Sequence, residues 1–405
     1  MALPDSPRIH ASTPGDFVAV VPHILGYQPH HEIVIIFARR GLAVATLTTA
    51  LPVEDPHEWN TVGISEARKA ATQSGADGFF LIGYGPGDMV TPAVDLLTAP
   101  LAAFCDVWGL FRVFDGRYHL YGPPESATPP DGIPIPVNAA TVTAAVYEGL
   151  TAHASRDDMM AAVQPISGSE RHASDYHALA ACLTLVGDMR AHGYSRNLTP
   201  TMSRARQRVS AAAAPYRARG RLDDDDLAHV ALAVHIPPVC GEAVARMGVA
   251  ASRGAHDELI TQATLWLDVM RRCHRQLAAP PAFLCAVAAY LQSHTRHATF
   301  AVNYALDVQP TFTYALWLKR QMDHMMPPPE LAAKITTPVA DLRDRYAVPR
   351  PEWIQPMLTA IENVCGAFPM NVQLDVLRLV PTFPSGTREL LPPPTVRCSP
   401  LETRA

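Results

Sequence analysis

The segment Ile9–Ala38 reads IHASTPGDFVAVVPHILGYQPHHEIVIIFA, and it predicts a helix, a break and then a buried strand. Ser12 or Thr13 can cap the helix, and Pro14 suits its first turn. A glycine and a proline follow the last apolar residue of the helix and prevent it from continuing. Ile33–Phe37 is a continuous, mostly β-branched apolar run, typical of a strand that is covered on both faces. The segment therefore indicates the start of an α/β core, and it carries no evident chemistry.

The composition is that of a folded chain without a strong net charge. The length of 405 residues favours two or three domains. With 48% hydrophobic and 18% charged residues, the chain can bury a large core, which argues against global disorder. The formal net charge of −5 gives no reason to expect an overall attraction to nucleic acid or to an anionic membrane.

The N-terminal residues and the cysteines favour a cytoplasmic protein. The start, MALPDSPRIHAS, lacks the basic and apolar regions of a signal peptide. No apolar run reaches the length that spans a membrane, so no membrane is expected as a partner. The seven cysteines are scattered and form no C-x-x-C pair. We therefore expect reduced, mostly buried thiols and neither a disulfide framework nor a zinc site.

Strands alternate with helices in the first third of the chain. Asp115–Gly116 is a strong signal for a hairpin turn between two strands. A short apolar run, a helical stretch and a second strand before this turn predict a β–α–β unit. The predicted strands are Ile33–Phe37, Leu42–Leu51, Gly78–Gly83, Trp108–Phe114 and Tyr118–Tyr121, and the later helices are Trp59–Ser74 and Met89–Cys105.

Almost every periodic stretch after the Pro-rich linker Gly122–Pro136 is helical. The predicted fold class is α+β or α/β, with an N-terminal mixed-sheet α/β domain followed by a mostly helical C-terminal domain. The predicted limits are 1–136, 137–330 and, for a helical extension with a loose tail, 331–405. The predicted helices are Asn138–His153, Asp175–His192, Leu227–Val234, Glu258–Leu277, Ala282–Gln292, Arg296–Leu306, Phe312–Met326 and Trp353–Ala367, with a weaker one at Val372–Leu379.

The three consecutive helices in Ala282–Met326 are expected to pack antiparallel around a buried centre. The first is apolar nearly all round, which is typical of a buried helix. Ala305 is expected to lie in the seam between helices, so that a larger residue there would overpack it. Leu291 is expected to be buried, so that its replacement by Ala would leave a cavity.

The sequence GYGPGD follows a predicted strand and precedes a predicted helix. Open α/β sheets bind ligands at this position, where backbone N–H groups can hold an anion. One hypothesis is therefore a phosphate or nucleotide loop formed by Gly83, Gly85, Gly87 and Asp88, in a small-molecule-binding or hydrolytic enzyme. The alternative is an ordinary turn in which Asp88 caps the next helix, since its carboxylate would repel a phosphate.

The segment Arg190–Arg221 is rich in arginine and has no acidic residue, and two tyrosines are interleaved. This pattern is consistent with nucleic-acid binding, with Arg204, Arg206 and Arg208 on phosphates and the aromatic rings on bases. The alternative is a solvated segment that is balanced by the acidic run Asp223–Asp226 directly after it.

The remaining polar clusters give weaker signals. Asp223–Asp226 could hold a hard metal ion, but such a run also suits the positive N-terminus of the helix that follows. His30–His31 and the pair His294 and His297 are the two histidine clusters to consider, and no Cys, Asp or Glu lies close to His294 and His297 in sequence, which argues against a metal site there. No G-x-S-x-G, H-E-x-x-H or P-loop motif is present, so we predict no catalytic residue, no metal ligand and no identified cofactor.

Two stretches, Ser12–Phe37 with Leu51–Pro52 and Ala279–Leu318, resemble the actinobacterial domain-of-unknown-function family 4192. The resemblance rests on a P-x-L-L-G-F-x-P element before a hydrophobic strand, on an Ala-Pro segment and on an A-x-x-A-L-x-x-x-P-x-(Y/F)-x-x-A ending, and it extends to about Pro329. Glu32 stands where the family often has Ser. The family has no assigned function, so the resemblance implies relatives and no activity. The positions are Pro22, Leu25, Gly26, Tyr27, Pro29, Ala279, Pro280, Ala301, Ala305, Leu306, Pro310, Phe312 and Ala315.

Ala282–Pro310 also resembles a single tetratricopeptide-like helical hairpin, with Tyr290, Ala298 and Ala305 at its packing positions. One such unit cannot bury its own face and must pack on neighbours. This hairpin and the lack of catalytic motifs favour a non-enzymatic interaction or regulatory protein whose partner is another protein. Small-molecule binding at the glycine loop is the first alternative, and nucleic-acid binding is the second.

Overall fold

The computed structural model describes residues 10–51, 63–122, 128–147, 150–191 and 198–368. Contacts group the chain into two compact units that divide between Ala162 and Val163. The first contains a six-stranded mixed sheet with helices, and the second is mostly helical, which confirms the predicted fold class. The predicted domain limits at 136 and 330 stay predictions.

The first unit contains the elements that the alternating pattern predicts, with small shifts at their ends. Its helices are α1 (Pro14–Leu25), α2 (Ile64–Ser74), α3 (Gly87–Ala102), α4 (Ala140–Tyr147) and α5 (Arg156–Val163). Its strands are β1 (Glu32–Arg39), β2 (Leu42–Ala50), β3 (Gly78–Tyr84), β4 (Asp106–Phe114), β5 (Arg117–Tyr121) and β6 (Ile133–Pro134). Residues 59–62 of the helix predicted before β3 lie outside the described residues.

Thr13, and not Ser12, caps α1. The Thr13 hydroxyl accepts from the Asp16 N–H and the Asp16 carboxylate accepts from the Thr13 N–H, both at 3.1 Å. This reciprocal capping box satisfies two N–H groups that a helix start otherwise leaves without partners. At the other end, Gly26 has the left-handed conformation (φ 81°) that ends many helices.

The strand order in the sheet is β2-β1-β3-β4-β5-β6. Strands β3 and β4 are parallel and are joined through α3, as the predicted β–α–β unit requires, whereas every other pair is antiparallel. In both hairpin turns the two central residues have a positive φ, namely Arg40 and Gly41 in one turn and Asp115 and Gly116 in the other. Such primed turns match the twist of the strands that they join.

Both faces of the sheet are covered, which explains why the centre of β1 is apolar on both of its sides. Helices α2 and α3 cover one face, where they bury Ile33, Ile35 and Phe37. Helix α1 covers the other, where it buries Val34 and Ile36. Residues 128–136 of the predicted linker include β6, which pairs with β5 at the sheet edge, while 123–127 lie outside the described residues.

The second unit is built from helices that the periodicity predicts only in part. They are α6 (Gly168–Ala191), α7 (Thr199–Ala211), α8 (Ala213–Arg219), α9 (Asp224–Ala233), α10 (Pro237–Ser252), α11 (His256–Arg272), α12 (Ala279–Leu291), α13 (Thr295–Val308), α14 (Thr313–Asp323), α15 (Pro328–Ile335), α16 (Val339–Arg345) and α17 (Pro351–Gly366), with a 3₁₀ turn at Arg275–Leu277. The weaker predicted helix, Val372–Leu379, lies outside the described residues.

Helix α12 is the centre of this unit, and every residue from Ala279 to Tyr290 is buried. Helices α13 and α14 pack against it and each other, as the sequence predicts for Ala282–Met326. Ala298, Ala301 and Ala305 form the small-residue face of α13 and are buried. Whether this hairpin is related to tetratricopeptide repeats stays a prediction.

We expect Ala305→Leu to overpack this seam and to lower the free energy of unfolding by about 1–3 kcal/mol. Ala305 is 0% exposed, so a longer side chain would have to displace its packed neighbours. Urea denaturation would measure the change, with Thr299→Leu on the exposed face of the same helix as the control. An unchanged midpoint for Ala305→Leu would contradict the close packing.

The sequence predicts that Leu291 is buried, but in the structure it is only partly buried, at the end of α12. The cavity cost predicted for Leu291→Ala therefore falls below that of a fully buried leucine such as Leu284, which is 0% exposed. Leu291 is the last residue of the helix, whereas Leu284 lies near its middle.

Two general features of the described residues bear on the predicted environment. No single helix there is both long and apolar enough to cross a membrane, although α9 and α10 together pass that test with a bend of 102° between them. The six cysteines in this part of the chain are buried and free, and Cys398 lies outside it. Burial raises the pKa of Cys240, Cys273 and Cys285 to about 12, so their thiolate forms are suppressed.

Candidate functional site

The GYGPGD sequence forms the turn between β3 and α3, at the carboxyl ends of the parallel strands β3 and β4. Gly85 has a φ of 152°, which favours glycine, and its N–H donates to the Val113 carbonyl at 2.9 Å. Gly87 is the first residue of α3, and Asp88 is exposed in the first turn. The predicted loop therefore ends at a helix N-terminus, where the first N–H groups have no partner within the helix.

The other two glycines are required by close contacts. A Cβ atom on Gly83 would lie 2.2 Å from Cγ1 of Val90, so Gly83 allows α3 to pack closely on β3. A Cβ on Gly87 would lie 2.2 Å from Nη1 of Arg112. Gly83 thus has a packing role, whereas Gly87 makes room for a guanidinium group at the start of the helix.

Arg112 is the residue of this site that sequence reasoning missed. It lies on β4 opposite Gly83 in the parallel register, so its side chain reaches the same end of the sheet as the glycine loop. Its Nη2 lies 2.9 Å from Nε2 and 3.1 Å from Nδ1 of His119, and its Nε is buried with no hydrogen-bond partner among the described residues. In the same part of the chain, no carboxylate lies within ion-pair distance of Arg112.

His119 supports the Arg112 side chain from the neighbouring strand. The two residues are opposite each other in the antiparallel β4–β5 pair. Nε2 of His119 also lies 3.2 Å from the Pro130 carbonyl, so in the tautomer that is protonated at Nε2 this N–H can donate to Pro130 while Nδ1 accepts from Arg112. Gly132 (φ 74°) allows this contact, since a Cβ there would lie 2.6 Å from the imidazole ring.

His31 adds a second imidazole beside the loop. Its Cδ2 lies 3.4 Å from the position of a Cβ on Gly85, and its ring centre lies 4.0 Å from that of His30. Both histidines are exposed, and His31 has a left-handed backbone (φ 48°). We call the set Gly85–Asp88, Arg112, His119 and His31 the loop site.

A buried polar group lies on the opposite face of the same sheet end. Glu32 accepts a hydrogen bond from the Tyr27 hydroxyl at 2.8 Å, and it is directly opposite Tyr84 in the β1–β3 register. Burial, with a smaller contribution from Glu32, raises the pKa of Tyr84, and its hydroxyl has no hydrogen-bond partner in the described structure. Glu32 is thus a buried carboxylate with a hydrogen-bond partner on this face of the sheet.

The loop site can hold an oxyanion. The first N–H groups of α3 and the Arg112 guanidinium both favour negative charge, and the guanidinium offers donors in a planar fork that fits phosphate or carboxylate. The exposed Asp88 carboxylate opposes this, as the sequence indicates. Whether Gly83, Gly85, Gly87 and Asp88 bind a cofactor stays a prediction.

The arginine segment forms α7 and α8, and its three predicted contact residues are all ion-paired. Arg204 pairs with Asp188, and Arg208 lies 3.5 Å from Asp226. Arg206 points elsewhere, to Glu242. These pairs lower the positive potential that a nucleic acid would meet, so the prediction of nucleic-acid binding gains no support from the geometry. Tyr194 and Arg196 lie outside the described residues.

The acidic run has a structural role at the start of α9. The Asp223 carboxylate accepts from the Asp226 N–H at 2.8 Å and caps the helix, while Asp224 pairs with the buried Arg272. The rings of His294 and His297 lie 5.9 Å apart. Among the residues that the structure describes, no three His, Cys, Asp or Glu side chains come together as a metal ion would require.

Comparison with known proteins identifies the family and no activity. No curated protein and no solved structure matches the chain. The model of one family, described as "Domain of unknown function (DUF4192)", matches residues 14–329, which is more than half of the chain and includes most of both stretches that carry the resemblance. The chain therefore belongs to the family of domains of unknown function DUF4192.

Proposed function

We propose that the N-terminal unit binds a small phosphorylated molecule, with its phosphate group at the loop site. The observation that carries this proposal is the position of Arg112 at the N-terminus of α3, without a carboxylate partner among the described residues. A helix N-terminus carries a partial positive charge, so a cation there is unfavourable by itself. An anion bound beside the guanidinium at the helix N-terminus would interact favourably with both.

The position in the fold supports the same proposal. Open sheets bind ligands outside the carboxyl ends of parallel strands, and β3 and β4 are the parallel pair of this sheet. The interaction through the helical unit that the sequence favours stays a prediction, since no contact among the described residues of that unit identifies a protein partner.

The proposal predicts that Arg112→Met abolishes ligand binding without lowering stability. Methionine keeps the apolar stem of the side chain and removes the charge at the helix N-terminus. The free energy of unfolding without ligand should stay the same or rise by up to about 1 kcal/mol, because an unfavourable charge at the helix end is removed. Titration calorimetry and thermal unfolding with inorganic phosphate, pyrophosphate and ATP would measure both effects.

A matched control is Arg68→Met on α2, where the guanidinium lies 5.4 Å from the centre of the Phe104 ring and away from the loop. The control should bind as the unchanged protein does. If Arg112→Met keeps its affinity for every probe that the unchanged protein binds, the proposal is wrong. It is also wrong if none of the three probes binds the unchanged protein, or if Arg112→Met unfolds it, since Arg112 would then be a structural residue.

A further inference from the structure

Helices α7, α8 and α9 surround a cavity of about 320 Å³ in the second unit. This volume is at the lower end of the range in which small-molecule sites are found. The cavity belongs to a different unit from the loop site, and the family assignment gives it no function. Its lining is polar on one side and apolar on the other, as the side chains of α7 and α9 show.

The polar side is formed by one face of α7. Arg204, Gln207, Arg208 and Ala211 follow one another at helical spacing and all line the cavity, whereas Arg206 points to the opposite side of the helix. Two arginines four residues apart lie next to each other and repel. Asp226 of α9 completes this side.

The two arginines are held by weak surface ion pairs. Arg204 is 40% exposed and its partner Asp188 is 42% exposed, while Arg208 is 33% exposed and Asp226 is 50% exposed. Pairs as exposed as these contribute little to stability, so either guanidinium can turn to a ligand at little cost. Both arginines also line a second, smaller cavity together with Leu185 and Asp188 of α6.

The apolar side is formed by Leu222 and Val230 of the α9 region and by Ala212 and Pro215 at the start of α8. Leu222, Val230 and Ala212 are at most 4% exposed, so the apolar surface that a ligand can reach is that of Pro215 and, on α7, Ala211. A ligand that fills this cavity must therefore present an apolar body to these side chains and an anionic group to the arginines. A nucleic-acid backbone has the charge but not this shape.

We propose that this cavity binds a small amphipathic anion, in which a phosphate or a carboxylate is attached to an aromatic or aliphatic body. The charged group contacts Arg204 and Arg208, and the body lies against Pro215 and Ala211, beneath which Leu222 and Val230 are buried. The arginine segment that the sequence singles out thus serves a small molecule and not a nucleic acid.

Calorimetric titration of the full chain with four probes tests the proposal. Phenyl phosphate and benzoate carry both required features, inorganic phosphate lacks the apolar body, and benzyl alcohol lacks the charge. The titrations use the Arg112→Met background, so that the loop site makes no contribution and the two proposals can fail separately. We expect at least one of the two amphipathic anions to bind more tightly than inorganic phosphate and benzyl alcohol, and the preferred one distinguishes phosphate from carboxylate ligands.

Three variants locate the binding. Arg208→Met removes one charge, and Ala211→Phe fills the cavity from an exposed position of α7; each should weaken binding at least tenfold, or about 1.4 kcal/mol. Asp226→Asn removes the carboxylate that competes for Arg208 and should tighten binding, which a purely structural residue would not do. Arg219→Met, exposed on α8 and outside the cavity, is the control and should change affinity less than twofold.

The proposal is overturned if neither amphipathic anion binds at millimolar concentration. It is equally overturned if Arg208→Met and Ala211→Phe do not both weaken binding, or if Asp226→Asn weakens it. In each of these cases the arginines of α7 have no ligand in this cavity.

Discussion

Glu242→Gln is expected to lower the free energy of unfolding by roughly 3 kcal/mol, because it removes the buried carboxylate that forms ion pairs with three arginines. Glu242 is 1% exposed on α10. Nε of Arg206 lies 2.6 Å from its Oε1, while Arg343 and Arg246 lie 3.2 and 3.6 Å from its Oε2. A neutral amide would leave the three positively charged guanidinium groups close together, with no negative charge between them.

The physical reason is that three helices meet at this carboxylate. Arg206 comes from α7, Arg246 from α10 and Arg343 from α16. Breaking a buried ion pair typically costs about 3–5 kcal/mol, and the lower end applies because Arg343 is about half exposed. Burial lowers the pKa of Arg246, and Glu242 opposes that shift, as expected for a guanidinium that depends on its carboxylate partner.

Urea denaturation of Glu242→Gln would measure the loss, and Glu170→Gln provides the matched control. The Glu170 and Arg221 side chains form an ion pair at 3.4 Å in which both are about half exposed, so the same chemical change should cost less than about 1 kcal/mol there. In Glu242→Gln with Arg206→Met, part of the loss should be recovered, because the two changes act on one network. A single variant as stable as the control would show that the cluster is well solvated and not a buried network.

Much of the fold follows from local sequence patterns. The apolar run of β1 and the capping residues of α1 act over a few residues, and they predict these elements nearly to their ends. Pro237 and Pro238 show the limit of this reasoning. After an apolar stretch they indicate the end of a helix, here α9, but a proline also suits the first turn of a helix, and α10 begins at Pro237.

Contacts between distant helices could not be predicted from one sequence. A Cβ on Gly248 of α10 would lie 2.8 Å from Cγ1 of Ile335, so this glycine allows α15 to pack closely. The prolines at 327–329 indicate the end of a set of helices, yet α15 begins at Pro328. Its short apolar stripe gives little periodicity, and its stability comes from packing on α10.

The candidate sites likewise combine features that the local sequence predicts with contacts that only the folded chain brings together. The glycine loop is visible in the sequence because its signal is local, but Arg112 is brought to Gly87 by the register of β3 with β4, which no local pattern contains. A lone arginine inside the apolar strand WGLFRVF is the signal that could have found it. Arg204, Arg206 and Arg208 form one patch in the sequence, although a helical period of 3.6 residues places Arg206 on the far side of α7.

Stability is also expected to fall by about 3 kcal/mol between pH 6.5 and pH 4, because His235 is buried in its neutral form. His235 is 7% exposed between α9 and α10, and its Nε2 lies 3.3 Å from the Leu277 carbonyl. Burial lowers its pKa from 6.5 to about 4, and the hydrogen bond to Leu277 offsets only part of that effect. Burial lowers the pKa of His274 and His294 in the same direction.

The direction of this pH dependence follows from the protonation of His235 in the folded and in the unfolded chain. Above pH 6.5 the imidazole is neutral in both the folded and the unfolded chain, so it contributes no pH dependence. As the pH falls below 6.5, the unfolded chain takes up a proton that the folded chain accepts only near pH 4, and the free energy of unfolding decreases across that window. Urea denaturation at a series of pH values would measure this slope.

His235→Gln tests the assignment, because glutamine can still donate to the Leu277 carbonyl but does not titrate. We expect the variant to be less stable than the unchanged protein at pH 7, where the packing of the imidazole is lost, and to show a shallower decrease towards pH 4. His177→Gln, on the exposed side of α6, is the matched control and should keep the slope of the unchanged protein. If His235→Gln keeps the full slope as well, the acid sensitivity arises from other groups, and His235 accepts its proton in the folded state as easily as in the unfolded one.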